Sequence, residues 1–216
     1  MSADAREGRT NDPARTMAEI LAVATHEFAD KGLAGARIDE IAAATRTSKR
    51  MIYYYFGSKD GLYLAVLEEA YRRMRSIEAD LHLDDLEPVA ALRRLVEFTY
   101  DHHQGNEDFI RLVMNENIHR AQYLQQSKGI QELNLKAIDA IQGLYERGVA
   151  QGLFRPGLDA VDIHAGISAL TVFNVSNRYT FGTIFGRDDA QAKAQTLQRE
   201  HVVQMVLRFL GHAKSE

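Results

Sequence analysis

The fold of this chain is decided by one stretch, Thr45-Arg46-Thr47-Ser48-Lys49-Arg50-Met51-Ile52-Tyr53-Tyr54-Tyr55-Phe56-Gly57-Ser58-Lys59. It holds three consecutive tyrosines and four cations around a segment that is too short for a core helix. Wound at about 100° per residue, this segment places Ile52 and Phe56 on one side of a helix. Arg50 and Tyr54 fall on the opposite side. The pattern therefore predicts a helix with one buried side and one side that faces a partner.

Arginine and tyrosine on an exposed helix face are suited to a polyanion. A guanidinium can fork onto a phosphate or a guanine, and a phenol hydroxyl can donate to a phosphate oxygen. The alternative is that the aromatic run is core and that the cations belong to a solvated surface. Duplex DNA is the partner that these residue types favour, and the preceding residues shift the balance towards it.

Positive charge is concentrated around the same stretch. The chain of 216 residues has 26 basic and 30 acidic residues, which gives a net charge of −4. Residues 37–59 carry five cations and only two acids, so this segment is +3 and the rest of the chain sums to −7. A protein that coats nucleic acid is basic over its whole surface. The distribution instead predicts one local surface for DNA.

Composition excludes several other classes of protein. Cysteine is absent, which excludes disulfides, thiolate metal sites and a cysteine nucleophile. The sequence has neither a signal-peptide core nor a stretch apolar enough to span a bilayer, so we expect a cytoplasmic protein with no membrane partner. Only three prolines interrupt a nearly continuous helical periodicity. The fold class is therefore predicted to be all-α.

Two helices are predicted before the tyrosine-rich one. After a flexible arm at 1–12, apolar residues recur at helical spacing from Pro13 and stop at Lys31-Gly32, a basic last turn followed by a glycine. A short helix follows from about Ile38 to Thr45. Three short helices, the last two joined by a tight turn, describe a helix-turn-helix domain over residues 13–57.

The order and spacing of these residues resemble the DNA-binding domain of the TetR family of bacterial transcriptional regulators. The resemblance covers about Pro13 to Leu64, roughly a quarter of the chain. It rests on the motifs Phe28-Ala29-Asp30-Lys31-Gly32, Ile41-Ala42, Ser48-Lys49, Ile52-Tyr53-Tyr54-Tyr55-Phe56 and Ser58-Lys59-Asp60-Gly61-Leu62. The resemblance implies a homodimeric, ligand-responsive DNA-binding regulator, most often a repressor, that is not an enzyme and holds no cofactor.

Two residues depart from the family's usual pattern. Arg46 stands in the turn where the family has a glycine that accepts a left-handed backbone, so we expect a strained or altered turn. Arg37 stands where the family commonly has a threonine that caps the second helix, so a hydroxyl cap is lost and a cation is gained. We expect Arg37 to contact phosphate. For Arg46, a phosphate contact and a solvated arginine are equally open.

The resemblance also implies roles within a DNA-binding set. Residues at the start of the recognition helix approach base edges, and the tyrosines contact phosphate and thymine methyl groups. The lysine that opens the fourth helix reaches the DNA backbone with help from the helix dipole. Arg50 is the best-supported base reader, with Tyr54 beside it, whereas Tyr53 could pack partly in the core. The predicted set is Arg37, Thr47, Ser48, Lys49, Arg50, Met51, Tyr53, Tyr54, Tyr55 and Lys59.

Residues 58–216 are predicted to form a larger helical domain for effector binding and dimerisation. A fourth helix should run from Ser58 or Lys59 to about Asp80, and a fifth should begin at Pro88. The further predicted features are a cap at Asn106, a long helical stretch from about Ala121 to Gln151 that is broken or bent near Ser127-Lys128-Gly129, a helix opened by Asp159, and a last helix capped by Asp188 that reaches Leu210.

The resemblance implies that two C-terminal helices form a homodimer interface. Their apolar stripes contain Ile163, Ile167, Leu170, Val172 and Phe173 on one helix and Val202, Val206, Phe209 and Leu210 on the other. Part of each stripe is expected to be core of the monomer. A dimer also has a physical advantage, because two recognition helices on a palindromic operator read more base pairs than one.

A pocket for a small-molecule effector of unknown identity is expected among the helices of this domain. Such a pocket would be apolar, with a few polar groups that orient the ligand. Taken alone, each candidate is more often a surface residue or a satisfied core residue. The candidates are Phe98, His102, Arg111, Met114, Asn117, Tyr145, Phe173 and Asn177.

Two other functions stay open at this point. Glu116 and His119 have the Glu-x-x-His spacing of metal-dependent helical-bundle enzymes, but that chemistry needs a second such motif and two more inward glutamates. No second copy of the motif is present, so neither catalytic nor metal-ligating residues are predicted. The other alternative is a DNA-binding protein without an effector, which a C-terminal domain without a cavity would favour.

Overall fold

The computed structural model describes residues 12–186 and 192–211, and this part of the chain contains helices and no strand. The predicted all-α fold class is confirmed. The helices are, in chain order, α1 (Pro13–Gly35), α2 (Ile38–Ala44), α3 (Lys49–Phe56), α4 (Lys59–Ala79), α5 (Pro88–Gly105), α6 (Glu107–Ile118), α7 (Lys128–Ala150), α8 (Ala160–Ser176), α9 (Arg178–Phe185) and α10 (Ala192–Leu210).

Two predicted features fall on residues outside this description. They are the arm at 1–12, apart from its last residue Asp12, and the cap at Asp188. Within the described ranges, none of the helices is both long enough and apolar enough to cross a membrane.

The chain divides into two compact units, the first ending at Val66 and the second beginning at Leu67. The division falls inside α4, so this one helix gives its first turns to one unit and its last turns to the other. The sequence-based boundary between residues 57 and 58 lies in the short connection just before α4. α4 is therefore a helix that belongs to both units.

Four helices supply the core of the first unit. The buried side chains are Ile20, Ala24 and Phe28 of α1, Ile38, Ile41 and Ala42 of α2, Ile52 of α3, and Leu62, Tyr63 and Val66 of α4. The rings of Phe28 and Tyr63 pack edge to face with their centroids 5.1 Å apart. α2 contacts both α1 and α3, so this small core fixes the orientation of α3.

Two glycines shape this unit. Gly32 has φ 65° and ψ 173° and breaks α1 at the predicted place, after which a short turn continues to Gly35. At Gly61, a Cβ atom would lie 2.1 Å from the carbonyl oxygen of Phe56. Only a residue without a Cβ lets the first turn of α4 approach the end of α3 so closely.

The second unit is built around a core shared by α5, α7, α8 and α10. The buried apolar residues at its centre are Leu92, Leu95, Val96 and Tyr100 of α5, Ile141, Leu144 and Tyr145 of α7, Ile163 and Ile167 of α8, and Val202, Val203, Val206 and Leu210 of α10. A smaller cluster joins Met74 of α4 to Phe109 and Ile110 of α6 and to Val175 of α8. The end of α4 is thus packed into the second unit.

The segment between α6 and α7 corrects the sequence interpretation. The predicted helix from Ala121 begins only at Lys128, and residues 119–127 form turns and a short 3-10 helix. The helical stretch is broken at Ser127, which is one of the two predicted outcomes, and Ser127 caps α7 because its Oγ accepts a hydrogen bond from the backbone N–H of Ile130. The buried carboxylate of Glu116 accepts hydrogen bonds from the backbone N–H groups of Tyr123 and Leu124, at 3.2 and 2.8 Å, and stabilises the turn.

A second correction concerns the cap of α6. Asn106 occupies the N-cap position as predicted, but its side chain makes no capping hydrogen bond. The amide instead donates to the carbonyl oxygen of His102, 2.8 Å away. By contrast, Asp159 caps α8 as predicted, since its Oδ1 accepts from the N–H of Val161 at 2.7 Å.

The stripes on α8 and α10 divide between core and surface. Ile163, Ile167, Val202, Val206 and Leu210 are buried within the chain itself. The apolar side chains left exposed on these two helices are Val161, Ala165, Ala169, Phe173, Leu197, Met205 and Phe209. The expectation that part of each stripe belongs to the monomer core therefore agrees with the structure.

Candidate nucleic-acid interface and ligand cavity

α3 has one buried and one exposed side, as its sequence predicts. Ser48 begins the helix by accepting a hydrogen bond from the N–H of Met51 at 3.2 Å. Ile52 is fully buried and Phe56 is half-buried, whereas Arg50 is exposed and Tyr54 keeps 77% of its surface exposed. A long cation and an aromatic hydroxyl therefore project from the same side of a short, capped helix.

The three tyrosines differ in exposure. Tyr53 is 44% exposed and Tyr55 is half-buried, so both lie at the edges of the exposed face. The ring of Tyr55 packs edge to face against Tyr54, with centroids 5.4 Å apart, and against Phe56 at 6.2 Å. The ring of Tyr55 therefore packs against that of Tyr54 and helps to hold it in place. Tyr54 is the most exposed of the three tyrosines.

The cations of this region differ in their partners. Lys49 forms an ion pair with Asp39 of α2, and Lys59 donates to the carbonyl oxygen of Ala34 at 3.4 Å. The side chain of Arg50 has no hydrogen-bond or ion-pair partner among the described residues. Arg50 is thus an exposed guanidinium that no neighbour in this part of the chain neutralises.

The two residues that depart from the family pattern are both exposed. Arg37 occupies the N-cap position of α2 without a side-chain capping bond, and its backbone N–H donates to Glu27 Oε1 at 3.0 Å. Arg46 lies in the turn between α2 and α3 with φ 53°, so an arginine adopts the left-handed backbone there. The turn keeps its shape although the glycine is absent.

The rest of the predicted DNA-binding set is less exposed. Thr47, Met51 and Lys59 are half-buried, and the hydroxyl of Ser48 is used by the cap. Sequence reasoning placed Ser58 at the start of the fourth helix but did not identify it as a cap. The Oγ of Ser58 accepts a hydrogen bond from the N–H of Gly61 at 2.9 Å and caps α4. A serine immediately before a helix was the signal that could have identified this cap.

The second unit contains a cavity of about 600 Å³ beside the end of α4. Its apolar lining comes from Ala79, Leu83, Leu133, Ala137 and Ala140, and its polar lining from Arg72, Arg75, Ser76, Glu78, His82, Asp84, Asp85 and Lys136. The walls are thus α4, α7 and the 3-10 segment at Leu83–Asp85. Its volume lies within the range of about 300–1,000 Å³ that is typical of small-molecule sites, although polar residues outnumber apolar residues in its lining.

A buried ion pair lies in the wall of this cavity. Arg75 and Glu78 are each 8% exposed and pair with one another on α4. The guanidinium of Arg75 also donates twice to Asn134 Oδ1 of α7, from Nε at 3.1 Å and from a terminal nitrogen at 2.6 Å. Ser127 donates to Glu68 Oε1 at 2.7 Å. Polar bonds therefore tie the second half of α4 to α7 and to the residue that caps it.

The structure does not gather the predicted ligand-binding residues at this cavity, and none of the eight lines it. Phe98 and His102 are neighbours, with ring centroids 5.7 Å apart. Tyr145 is buried and its hydroxyl bridges Arg155 O and Leu158 N, at 2.8 and 3.0 Å. The other five have local contacts or exposed positions: Arg111 with Glu107, Met114 at 38% exposure, Asn117 with Val113, Phe173 with Phe181, and Asn177 with Ser176.

His102 and His103 are buried, and His164 is half-buried, near Arg75. The pKa of His103 and of His164 is lowered from 6.5 to about 4, mainly by burial; the charges of His102 and Arg75 add to the shift of His103, and that of Arg75 adds to the shift of His164. Burial also lowers the pKa of His102, whose Nδ1 is buried without a hydrogen-bond partner within the described chain. His103 Nδ1 lies 2.9 Å from the hydroxyl of Thr171. These histidines are neutral at pH 7.

The Glu-x-x-His alternative does not fit this geometry. The carboxylate of Glu116 is 2% exposed and holds two backbone N–H groups, and His119 is exposed at the end of α6. Across residues 12–186 and 192–211, no group of three or more metal-ligating side chains is arranged to hold an ion. Glu116 therefore acts as a structural cap.

Comparison with known proteins covers both units. The family model for bacterial regulatory proteins of the tetR family matches residues 20–66, and the model for the tetracyclin repressor-like C-terminal domain matches residues 88–206. The HTH-type transcriptional repressor NicS of Pseudomonas putida is 36% identical over 191 residues, which are 88% of this chain and 90% of that protein. The HTH-type transcriptional repressor SCO4008 of Streptomyces coelicolor is 35% identical over 64% of this chain and 69% of its own length.

A solved structure has the same fold. The transcriptional regulator SCO4942 of Streptomyces coelicolor superposes with a TM-score of 0.68 at 27% sequence identity, and the match covers 90% of this chain and 98% of that one. The likeness thus extends over the helix-turn-helix and the helical C-terminal unit together.

Proposed function

This chain is a DNA-binding transcriptional regulator of the TetR family, and from that premise we propose that it acts as a homodimeric repressor that a small molecule releases from a palindromic operator. The family consists of regulators and not of enzymes. Repression is supported by the two relatives above that are named repressors. We propose the cytoplasm, where bacterial DNA lies, as its place of action.

The observation that carries this proposal is the exposed face of α3. Arg50 and Tyr54 project from this face, and the guanidinium of Arg50 has no ion-pair partner in the described chain. An arginine can form two hydrogen bonds with guanine, and a tyrosine can donate to phosphate. We assign base reading to Arg50 and Tyr54, with Lys49 close to the base edges at the start of the same helix, and backbone contacts to Arg37 and Lys59.

Homodimerisation is supported by the apolar surface that α8 and α10 leave exposed. Phe173, Leu197, Met205 and Phe209 are each between 47 and 54% exposed. Ala165 and Ala169 are small and exposed, so a second helix could approach α8 closely. If this surface pairs two copies, Ala169→Glu should produce monomers in analytical ultracentrifugation, and unchanged dimers would contradict the assignment.

Ligand response is supported by the cavity beside the end of α4. Within residues 58–216, α4 provides Arg72, Arg75 and Glu78 to the cavity wall, and its first residue, Lys59, belongs to the DNA-binding set. An occupant that shifts α4 would change the distance between the two recognition helices of a dimer. Because successive major grooves are about 34–36 Å apart, a change of a few ångströms lowers affinity without altering base contacts.

The DNA-binding part of the proposal is tested by selecting duplexes from a random pool with the purified protein. A palindrome with half-sites about one helical turn apart is the expected product. If the folded protein enriches no sequence at low salt, the proposal is contradicted. The selected duplex then supplies an operator for a release screen with small molecules.

The cavity is tested by blocking it. Ala140 of α7 lines the cavity and is exposed, so Ala140→Trp should fill it and abolish release by a molecule found in the screen. Asp139 is its exposed neighbour outside the lining, and Asp139→Trp is the matched control. Both variants should keep operator affinity. Release that is equally strong from both variants would show that the effector binds elsewhere.

A further inference from the structure

The turn between α2 and α3 ends α2 with a motif that strongly favours glycine. The N–H of Thr47 donates to the carbonyl oxygen of Ala42 at 3.0 Å, and the N–H of Arg46 donates to that of Ala43 at 3.2 Å. This pair of bonds is the Schellman motif, whose left-handed residue is usually glycine and sometimes asparagine. Here that residue is Arg46, with φ 53°.

An arginine at this position destabilises the fold relative to glycine. The left-handed backbone brings Cβ close to the following carbonyl oxygen, a contact that glycine avoids. Arg46 is the only non-glycine residue with positive φ in the described part of the first unit. Residues with strained backbone are concentrated at functional sites, so the side chain of Arg46 is a candidate for a function.

The guanidinium of Arg46 has no use within the described fold. Arg46 is exposed, and its side chain has no hydrogen-bond or ion-pair partner in residues 12–186 and 192–211. Two other cations of this unit are paired, Lys31 with Glu27 and Glu40 and Lys49 with Asp39, whereas Arg46, like Arg50, has no such partner in the described chain. The charge of the Arg46 guanidinium is thus not neutralised by any described residue, although its backbone is strained.

The position of the turn gives this cation a target. In a helix-turn-helix, the first helix crosses the phosphate backbone while the N-terminal residues of the second approach base edges in the major groove. The turn between them lies next to the strand that borders the groove. Arg46 precedes the N-cap Ser48 by two residues, and consecutive Cα atoms are about 3.8 Å apart, so its long side chain starts within about 7.6 Å of that cap.

We propose that Arg46 binds a backbone phosphate of duplex DNA, and that the protein tolerates a strained turn in order to gain this contact. The inference rests on the proposed DNA-binding function and adds a contact that a glycine cannot make. A phosphate contact is independent of base sequence. The contact should therefore form with random duplex as well as with an operator. It should make the affinity for DNA depend more steeply on salt concentration than it would without Arg46.

The test compares three variants of the full chain on a random-sequence duplex of about 30 base pairs, some three helical turns. Arg46→Asn removes the charge but keeps a residue that tolerates left-handed backbone. Arg46→Gly removes the charge and the strain, and Arg46→Lys keeps the charge. Affinity is measured by fluorescence anisotropy over a salt series, and thermal stability is measured on the same samples.

Removing the charge of Arg46 should weaken the salt-dependent part of DNA binding, whereas replacing Arg46 by glycine should raise thermal stability. Arg46→Asn and Arg46→Gly should flatten the plot of log affinity against log salt by about 0.9 for each phosphate that the protein no longer neutralises, and Arg46→Lys should retain the slope. Arg46→Gly should also raise the melting temperature, by about 2–4 °C for each kcal/mol of strain relieved. A matched Arg50→Ala variant tests base reading separately on the selected operator.

Two results would overturn the proposal. An Arg46→Asn slope equal to that of the wild-type protein would show that no phosphate contact exists. A fall in melting temperature for both Arg46→Asn and Arg46→Gly would show that the cation instead stabilises the C-terminal end of α2. Wild-type protein that binds no duplex would overturn the proposed function together with this inference, whereas the first two results overturn this inference alone.

Discussion

Particular arginine and histidine side chains of the two units lie in opposite environments. In the first unit, Arg46 and Arg50 are exposed and have no partner in the described chain. In the second unit, Arg75 and Glu78 are 8% exposed and His103 is 3% exposed. A surface that binds a polyanion must leave its cations free, whereas a unit with a cavity must hold its polar groups in fixed internal bonds. Substitutions in the two units should therefore change different measurements.

The largest effect is expected from breaking the buried ion pair of the second unit. Arg75→Ala leaves Glu78 as a buried charge without its partner, which should lower the free energy of unfolding by about 3–5 kcal/mol in urea denaturation. Replacing both residues, as Arg75→Met with Glu78→Leu, should be far less damaging because no charge stays buried. An equally large loss in the double variant would show that packing, and not charge, holds α4 there.

A smaller loss is expected from Gly61 in the first unit. A Cβ there would meet the carbonyl oxygen of Phe56 at 2.1 Å, so Gly61→Ala should lower the free energy of unfolding by about 1–3 kcal/mol. Gly143 of α7 is the matched control because nothing lies within 4 Å of its added Cβ. Gly143→Ala should raise stability by about 0.5–1 kcal/mol through helix propensity. Equal effects of the two substitutions would refute the close approach of α3 and α4.

Arg50 and Lys59 of the first unit should change DNA binding far more than stability. Arg50→Ala should reduce discrimination at one operator position by about 1–3 kcal/mol, measured by competition between single-base operator variants. Lys59→Ala should weaken binding to all sequences alike and flatten the salt slope by about 0.9. Equal losses for Arg50→Ala on operator and random duplex would remove its assignment as a base reader.

The last expected effect is a pH dependence of stability that belongs to the second unit. The pKa of His103 is lowered to about 4 in the folded chain, from an ordinary value of 6.5, so the unfolded chain binds more protons between these values. Stability is therefore full above pH 6.5 and is lost as the pH falls towards 4, by up to about 1.4 kcal/mol per pH unit for this histidine. His103→Gln should flatten this dependence in urea denaturation between pH 7 and 5. An unchanged dependence would place the titrating groups elsewhere.

Local sequence was sufficient for most of the first unit. The helical spacing of Ile52 and Phe56 predicted the buried side of α3, because such spacing acts over a few residues. Local signals also predicted the starts of α5 at Pro88 and of α8 after Asp159. Between α6 and α7, where Glu116 holds the turn at Tyr123 and Leu124, the predicted helical start at Ala121 was wrong.

What the sequence by itself determined was the helix-turn-helix, its charge and the face that it leaves exposed, since these depend on neighbours within about one helical turn. The tertiary structure alone decided which side of α8 and α10 is buried and where the cavity lies. It also paired Arg75 with Asn134, which is 59 positions away in the chain. Contacts at that separation depend on how whole helices pack, and the periodicity of one helix does not specify which neighbour covers its apolar side.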